Sequence, residues 1–347
     1  MKYLINWTHL EGANVSLNLE NVNKTDNCPM FCPEMSVSTA LYVISYILVI
    51  AVVLFTMCGN LLVIISVGHF KQLHTPANIL ILSLAASDLL VGIILMPLYF
   101  IRLIESCWFF GLIFCQLFNY LSFHLTCVSV YNIALIAIDR YFALSNPFIY
   151  SKEISQNLIY IVVLFNWIFS LFYNFALAYC NGNFTDLVIC SGECLYTQDD
   201  MWSLVDLVIV FIFPCSVIVI SYMGIFFIAK RHINTIRELT AQRNATHSKN
   251  LTNSIRSERK AAKVLSIIVS VFLLCLVPYY VCTLLSGVIT AASFIYIRDN
   301  IFILFYLNSC INPIIYALFY PWFRKSAKLI LTCEIFNANS SRISVVG

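Results

Sequence analysis

The run Ser106-CWFFGLIFCQLFNYLSFHLTCVSVYNIALIA-Ile138 contains no Asp, Glu, Lys or Arg, and Asp139 and Arg140 stand directly after it. A helix of about 20 apolar residues crosses the hydrocarbon of a bilayer, so this run is long enough to span a membrane. Backbone polar groups in hydrocarbon have to be satisfied within the segment, which makes the run α-helical. Six further runs of the same kind flank it. The seven spans are expected at about 37–67, 76–101, 112–143, 157–180, 202–231, 258–288 and 298–320. The fold class is therefore an all-α membrane protein: a seven-transmembrane-helix bundle over residues 37–323. Residues 1–36 form a polar N-terminal tail, and 321–347 supply a short amphipathic eighth helix and a cytoplasmic tail.

Composition agrees. Of the 347 residues 61% are hydrophobic and only 11% are charged, more apolar and less charged than a soluble domain. There is no room for a separate catalytic domain, and no Gly-rich phosphate loop, metal-spaced His/Cys cluster or nucleophile motif occurs. Neither enzymatic activity, a resident cofactor nor a nucleic-acid partner is expected.

The basic residues set the orientation. With the N-terminus outside, 16 of the 20 Lys and Arg fall on the inner side, the asymmetry of a multi-pass protein obeying the positive-inside rule. Glycosylation triplets at Asn6, Asn14 and Asn23 in the tail and at Asn183 between spans four and five then face outward, although Asn244 and Asn250 carry the same triplet on the inner side. The expected location is the plasma membrane, with the N-terminus extracellular and lipid around the spans.

Fourteen cysteines divide by compartment. Cys58, Cys127, Cys215, Cys275, Cys282 and Cys310 lie in spans, as small packing residues. Cys28, Cys32, Cys107, Cys115, Cys180, Cys190 and Cys194 are external, an odd number that leaves at least one unpaired. Cys333 follows the amphipathic stretch on the inner side and is a palmitoylation candidate.

Polar residues recur in the spans in a fixed order: Gly59-Asn60, LSLAASD ending at Asp88, Asp139-Arg140-Tyr141, Trp167, Pro214 with Tyr222, FLLCLVP from Phe272 to Pro278, and Asn312-Pro-Ile-Ile-Tyr316. Together they closely resemble the rhodopsin-like G-protein-coupled receptors. Asn308-SCINPIIYALFYPWFR-Lys325, Cys107-Trp-Phe-Phe-Gly111, Cys190-Ser-Gly-Glu-Cys194 and Glu258-RKAAKV-Leu265 narrow the resemblance to trace amine-associated receptors, olfactory and amine-sensing receptors of vertebrates.

Physics assigns Asp88, with Asn60, Ser129, Asn308 and Asn312, to one polar cluster, since polar groups at membrane depth need internal partners. The resemblance implies a site for Na⁺ and water there; a plain hydrogen-bond network is the alternative. It also implies an Arg140–Glu258 restraint on a closed state. Tyr222, Phe272, Pro278, Pro313 and Tyr316 then act as switches and bends, and a stimulatory G protein, arrestin and a receptor kinase are partners. A disulfide between Cys115 and Cys194 follows from the same resemblance, leaving Cys190 to pair with Cys28 or Cys32.

Amine receptors hold the ligand's ammonium with an Asp in span three, eighteen residues before the Arg; here that position is Ser122. Asp206, set in Met201-WSLVDLVIVFIF-Pro214, offers the charge from span five instead. A branch of fish trace amine receptors has this pattern, which implies an ammonium anchored at Asp206. Phe123, Tyr279, Tyr280, Phe302 and Tyr306 would wall the site, with Thr126 and Thr283 adding hydrogen bonds. A monoamine is favoured, while Glu193 or Glu105 at the mouth offers a place for a second ammonium. Leu276 stands where the family has Trp, which alters how span six is moved. Two other readings stay open: a receptor for an uncharged ligand with Asp206 structural, paired to His124 or a Tyr, and a transporter.

Overall fold

In the computed structural model, residues 38–181, 194, 200–242, 267–285, 291–337 and 340–345 are described. Seven helices among them are long and apolar enough to cross a membrane. Span one is Thr39–His69, begun by Ser38, whose hydroxyl accepts from the Leu41 N–H. Span two, Pro76–Glu105, starts on the Thr75 cap with Pro at its first position, where a missing N–H costs nothing. Span three is Gly111–Ser145, followed by a short helix, Pro147–Glu153, and span four is Gln156–Cys180. Span five runs helically from Asp200 to Gln242, past the apolar stretch that the sequence marks. Span six is described over Ile267–Leu284 and span seven over Ala291–Phe319. The chain belongs to the helical bundles; the end with Cys115 is called the disulfide end below, and that with Arg140 the basic end.

Span three is the hub. Of its most apolar stretch 72% is buried within the protein, against 22% for spans one and five, which therefore turn apolar side chains outward. Such outward faces, Ile47, Leu48, Ile220 and Phe226 among them, suit contact with lipid. Polar groups bind the inner faces. The Ser83 hydroxyl and the Asn166 amide both donate to Asn132 Oδ1, at 3.0 and 3.3 Å, and the Trp167 indole donates to Ser83 at 3.0 Å. Spans two, three and four are thus joined by hydrogen bonds that need no water.

Two spans widen into a π turn, Val91–Leu95 in span two and Leu207–Ile212 in span five. Each ends two residues before a proline: the N–H of Met96 reaches Val91, and that of Phe213 reaches Val208, one residue further back than in an α-helix. Pro97 and Pro214 explain this. A proline ring inside a helix collides with the carbonyl four residues before it, and a wider turn relieves the collision.

In span five the widening also decides which way Asp206 points. Toward its disulfide end the buried residues are Asp206, Val210, Pro214 and Ile218, spaced by four. In a regular α-helix a step of four residues over-rotates by about 40°, so such a stripe would wind away from the bundle. The π turn takes up the excess and keeps Asp206 facing inward. It leaves the Ile209 carbonyl without a helical partner, because the π partner five residues on is Pro214 and the Phe213 N–H is already used. The Tyr131 hydroxyl of span three donates to that carbonyl at 2.9 Å.

Gly59 permits a close approach of spans one and seven. A Cβ there would lie 2.7 Å from Cβ of Pro313. Beyond span seven, Arg324 donates to the terminal carbonyls of Ala317 and Leu318 at 3.0 and 3.1 Å. The amphipathic helix Pro321–Leu331 buries Trp322 and Phe323. Past it, the Ser340 hydroxyl lies 2.9 Å from the His69 ring at the basic end of span one, and Val345 is wholly buried.

Candidate functional site

Asp206 is 4% exposed. The Tyr173 hydroxyl of span four donates to its Oδ1 at 3.2 Å, and the Tyr280 hydroxyl of span six donates to its Oδ2 at 3.3 Å. Among the described residues no Lys, Arg or His forms an ion pair with it. His124, one sequence candidate for its partner, instead stacks against Tyr120 and meets Trp167 edge-on, with Nδ1 buried and unpartnered. The tyrosine alternative is the one realised. Tyr280 in turn stacks on Phe211 of span five, with ring centres 4.6 Å apart, and Tyr173 on Phe169, at 6.0 Å.

An aromatic row leads from this carboxylate across the disulfide half of the bundle. Tyr280 meets Tyr279 edge-on, Tyr279 lies against Phe302, and Phe302 stacks with Tyr306, which packs 4.7 Å from Tyr99 of span two. Ser122, at the position where related sites hold an Asp, donates to the Phe118 carbonyl and lies 3.3 Å from the Tyr306 hydroxyl. It closes the row at span three without charge. Thr126 and Thr283 both donate to carbonyls of their own helices, those of Ser122 and Tyr279. Phe123 is half-buried, one turn from Cys127 on span three.

Glu105, one acidic candidate for a second ammonium, ends the last helical stretch of span two. Its Oε1 accepts from the Tyr42 hydroxyl at 2.6 Å and also from Tyr46, so it ties the end of span two to span one. Glu193, the other acidic candidate for a second ammonium, lies outside the described residues.

Below Tyr280 on span six stand Leu276 and then Phe272, both buried, at successive turns of one face. They line a small cavity with Leu125, Thr126, Phe305 and Asn308. Further in, the Asn312 amide donates to Asp88 Oδ2 at 2.8 Å, the Ser87 and Ser129 hydroxyls lie 3.0 Å apart, and Asn60 donates to the carbonyls of Thr56 and Ser309. Three oxygens in this cluster are buried without a partner: Asn60 Oδ1, Asp88 Oδ1 and Asn308 Oδ1. Unpartnered carboxylate and amide oxygens are the donor set that a hard cation or water takes, so these residues fit a Na⁺ site.

At the basic end Arg140 is engaged by its neighbour. Its Nε donates to Asp139 Oδ2 at 2.9 Å, and Nη2 reaches the same oxygen. The Tyr150 hydroxyl, from the short helix after span three, donates to Asp139 Oδ1 at 2.6 Å. Burial and this carboxylate push the Tyr150 phenol well above its usual range. Glu258, expected to restrain Arg140, lies outside the described residues. The Tyr141 ring presses on span five at Gly224, where an added Cβ would lie 2.5 Å away. The hydroxyls of Tyr222 and Tyr316 are buried without partners. Pro313 lies inside span seven, and Pro278 is half-buried in span six.

Cys115 and Cys194 are joined, with Cα atoms 5.5 Å apart, which ties the start of span three to the segment before span five. Cys107, to which the sequence assigns no partner, is also disulfide-bonded. Cys180 is a free thiol, and Cys333 is free and exposed at the end of the amphipathic helix. The proposed pairing of Cys190 with Cys28 or Cys32 and the acceptors Asn6, Asn14, Asn23 and Asn183 lie outside the described residues.

Tyr173, Tyr131 and Tyr150 are absent from the residues that the sequence singles out. For Tyr173 there was a signal: Asn166, Ser170 and Asn174 recur every four residues in an apolar span, marking an inward polar face that Tyr173 borders.

Comparison with known proteins agrees with this architecture. Residues 59–316 match the family model of the 7 transmembrane receptor (rhodopsin family). The chain is 40% identical to trace amine-associated receptor 13c of Danio rerio over 306 residues, covering 86% of this chain and 89% of that receptor. It is 35% identical to trace amine-associated receptor 4 of Mus musculus over 323 residues, 90% and 92% of the two chains. To trace amine-associated receptor 7c of Rattus norvegicus it is 34% identical over 342 residues, 97% and 94%. The motif order in the spans, their packing around span three and these matches lead to one conclusion: the chain is a multi-pass membrane protein of the rhodopsin family of seven-transmembrane receptors and belongs to its trace amine-associated receptors, which are not enzymes.

Proposed function

We propose that this receptor detects amines, with the ligand's ammonium held by Asp206. The supporting observation is a carboxylate that is 4% exposed and has no counter-cation among the described residues. A buried unpaired charge is costly, and a cationic ligand supplies what is missing. The aromatic row from Tyr280 to Tyr306 provides the apolar and cation-π surface for the rest of the molecule. With Ser122 uncharged at span three, a monoamine suits the site better than a diamine.

In this reading the receptor lies in the plasma membrane with the disulfide end and N-terminus extracellular, an orientation that the basic asymmetry supports. The ammonium draws on Tyr280, and Leu276 and Phe272 below it carry the displacement along span six. Arg140, now held by Asp139, turns to a stimulatory G protein, and cAMP rises; arrestin and a receptor kinase then act on the same basic face. Na⁺ at Asp88 favours the resting arrangement, and olfaction is the sense served.

The test measures cAMP for a panel of amines and their neutral alcohol analogues, on wild type and Asp206→Asn, with surface expression matched. Removing one partner of a buried charge pair costs about 2–5 kcal/mol, so amine potency should fall at least about thirtyfold. The two tyrosine hydroxyls on Asp206 favour a second reading, in which Asp206 only brackets spans four and six and the ligand is neutral. Unchanged amine potency in Asp206→Asn would refute the anchor, and activation by the alcohols alone would establish the neutral-ligand reading.

A further inference from the structure

Both oxygens of Asp206 are already occupied in one direction: Tyr173 donates to Oδ1 from span four and Tyr280 to Oδ2 from span six, at 3.2 and 3.3 Å. A phenol has a single proton, and once this is given to the carboxylate only its oxygen lone pairs remain. The two phenol oxygens therefore flank the carboxylate as acceptors. Neither ring is free to turn away, since Tyr280 is 4% exposed and stacked on Phe211, and Tyr173 is stacked on Phe169.

We propose that Tyr173 and Tyr280, together with Asp206, form a three-acceptor cradle that selects primary ammonium groups over methylated ones, with Tyr173 as a specificity residue. This rests on the reading of Asp206 as the ammonium anchor and adds the ligand's degree of substitution. A primary ammonium carries three N–H donors, and the cradle offers one carboxylate edge and two phenol oxygens, so all three are satisfied away from water. Each N-methyl group removes one donor and leaves one of the three acceptors facing carbon. A trimethylammonium keeps its charge and loses every hydrogen bond. Charge alone would make the four substitution states nearly equal; the acceptors separate them.

The experiment records cAMP responses to n-pentylamine and its N-methyl, N,N-dimethyl and N,N,N-trimethyl derivatives. It uses full-length wild type, Tyr173→Phe, Tyr280→Phe and Asp206→Asn at matched surface expression. A hydrogen bond to a charged group is worth about a factor of ten or more, so wild-type potency should fall at least about tenfold from the primary to the trimethyl compound. Tyr173→Phe should weaken the primary amine about tenfold and the trimethyl compound less than about twofold, flattening the series. Tyr280→Phe should flatten it in the same way. A wild type that responds equally well to the trimethyl compound overturns the proposal. So does a Tyr173→Phe receptor in which all four potencies shift together, and so does silence toward all four compounds. If Asp206→Asn leaves the series unchanged, the anchor reading fails; if it abolishes the responses while Tyr173→Phe keeps the wild-type slope, only the cradle fails.

Discussion

Replacing Tyr131 by Phe removes one oxygen and is expected to loosen span five at the turn that aims Asp206. The Ile209 carbonyl has no helical partner, because Pro214 brings no N–H and Phe213 donates to Val208. Tyr131 fills the gap at 2.9 Å. A buried carbonyl left unsatisfied costs about 1–3 kcal/mol in water-soluble proteins, while side-chain hydrogen bonds within membranes average about 0.6 and reach about 1.7. The expected loss is therefore about 1–2 kcal/mol, read as reduced thermal stability of the detergent-solubilised receptor. Amine potency should fall as well, since the carboxylate is held by that turn. The control is Pro214→Ala, which restores an N–H to span five and gives the Ile209 carbonyl a backbone partner. In that background Tyr131→Phe should cost at least about 0.5 kcal/mol less, the size of coupling that contacting residues show. Equal losses in both backgrounds, or no loss in either, would refute the account of the π turn.

Gly59→Ala should destabilise the receptor by about 1–3 kcal/mol, because its Cβ would lie 2.7 Å from a ring atom of Pro313 and neither backbone can yield cheaply; an unchanged melting temperature of the solubilised protein would show that spans one and seven are less tightly held. Replacing NaCl by an organic-cation salt should raise amine potency about fivefold or more in wild type, the lower range of allosteric couplings, and leave Asp88→Asn unaffected. An equal response of both receptors to Na⁺ would dissociate Asp88 from the ion.

Seven spans were legible because hydrocarbon imposes a condition that each segment meets alone: enough apolar residues, with every backbone group bonded inside the helix. The Cys115–Cys194 tie was legible through a motif order, and the structure contains it. Asp206 was legible as a charge in an apolar run, and Asp88 with Asn312 as polar residues of neighbouring spans that meet. Tyr173 was not, since a tyrosine in a span is ordinary and only the position of span four against span five makes it a hydrogen-bond donor to Asp206. Glu105 read as a mouth residue because it lies near the end of span two; its direction toward Tyr42 and Tyr46 depends on how span one leans on that end. The Tyr150 hydroxyl that completes the Asp139–Arg140 group depends on a short helix, too brief to carry a membrane signal.

By itself, then, the sequence determined the number of spans and the presence of Asp206 in the apolar run of span five, because burial in lipid is decided segment by segment. Only the tertiary structure decided what that carboxylate meets. Pro214 forces a π turn, the turn rotates Asp206 inward, and spans four and six bring a tyrosine to each of its oxygens. The rotation arises from a collision inside one helix, but its chemical outcome depends on the neighbours that the packing supplies.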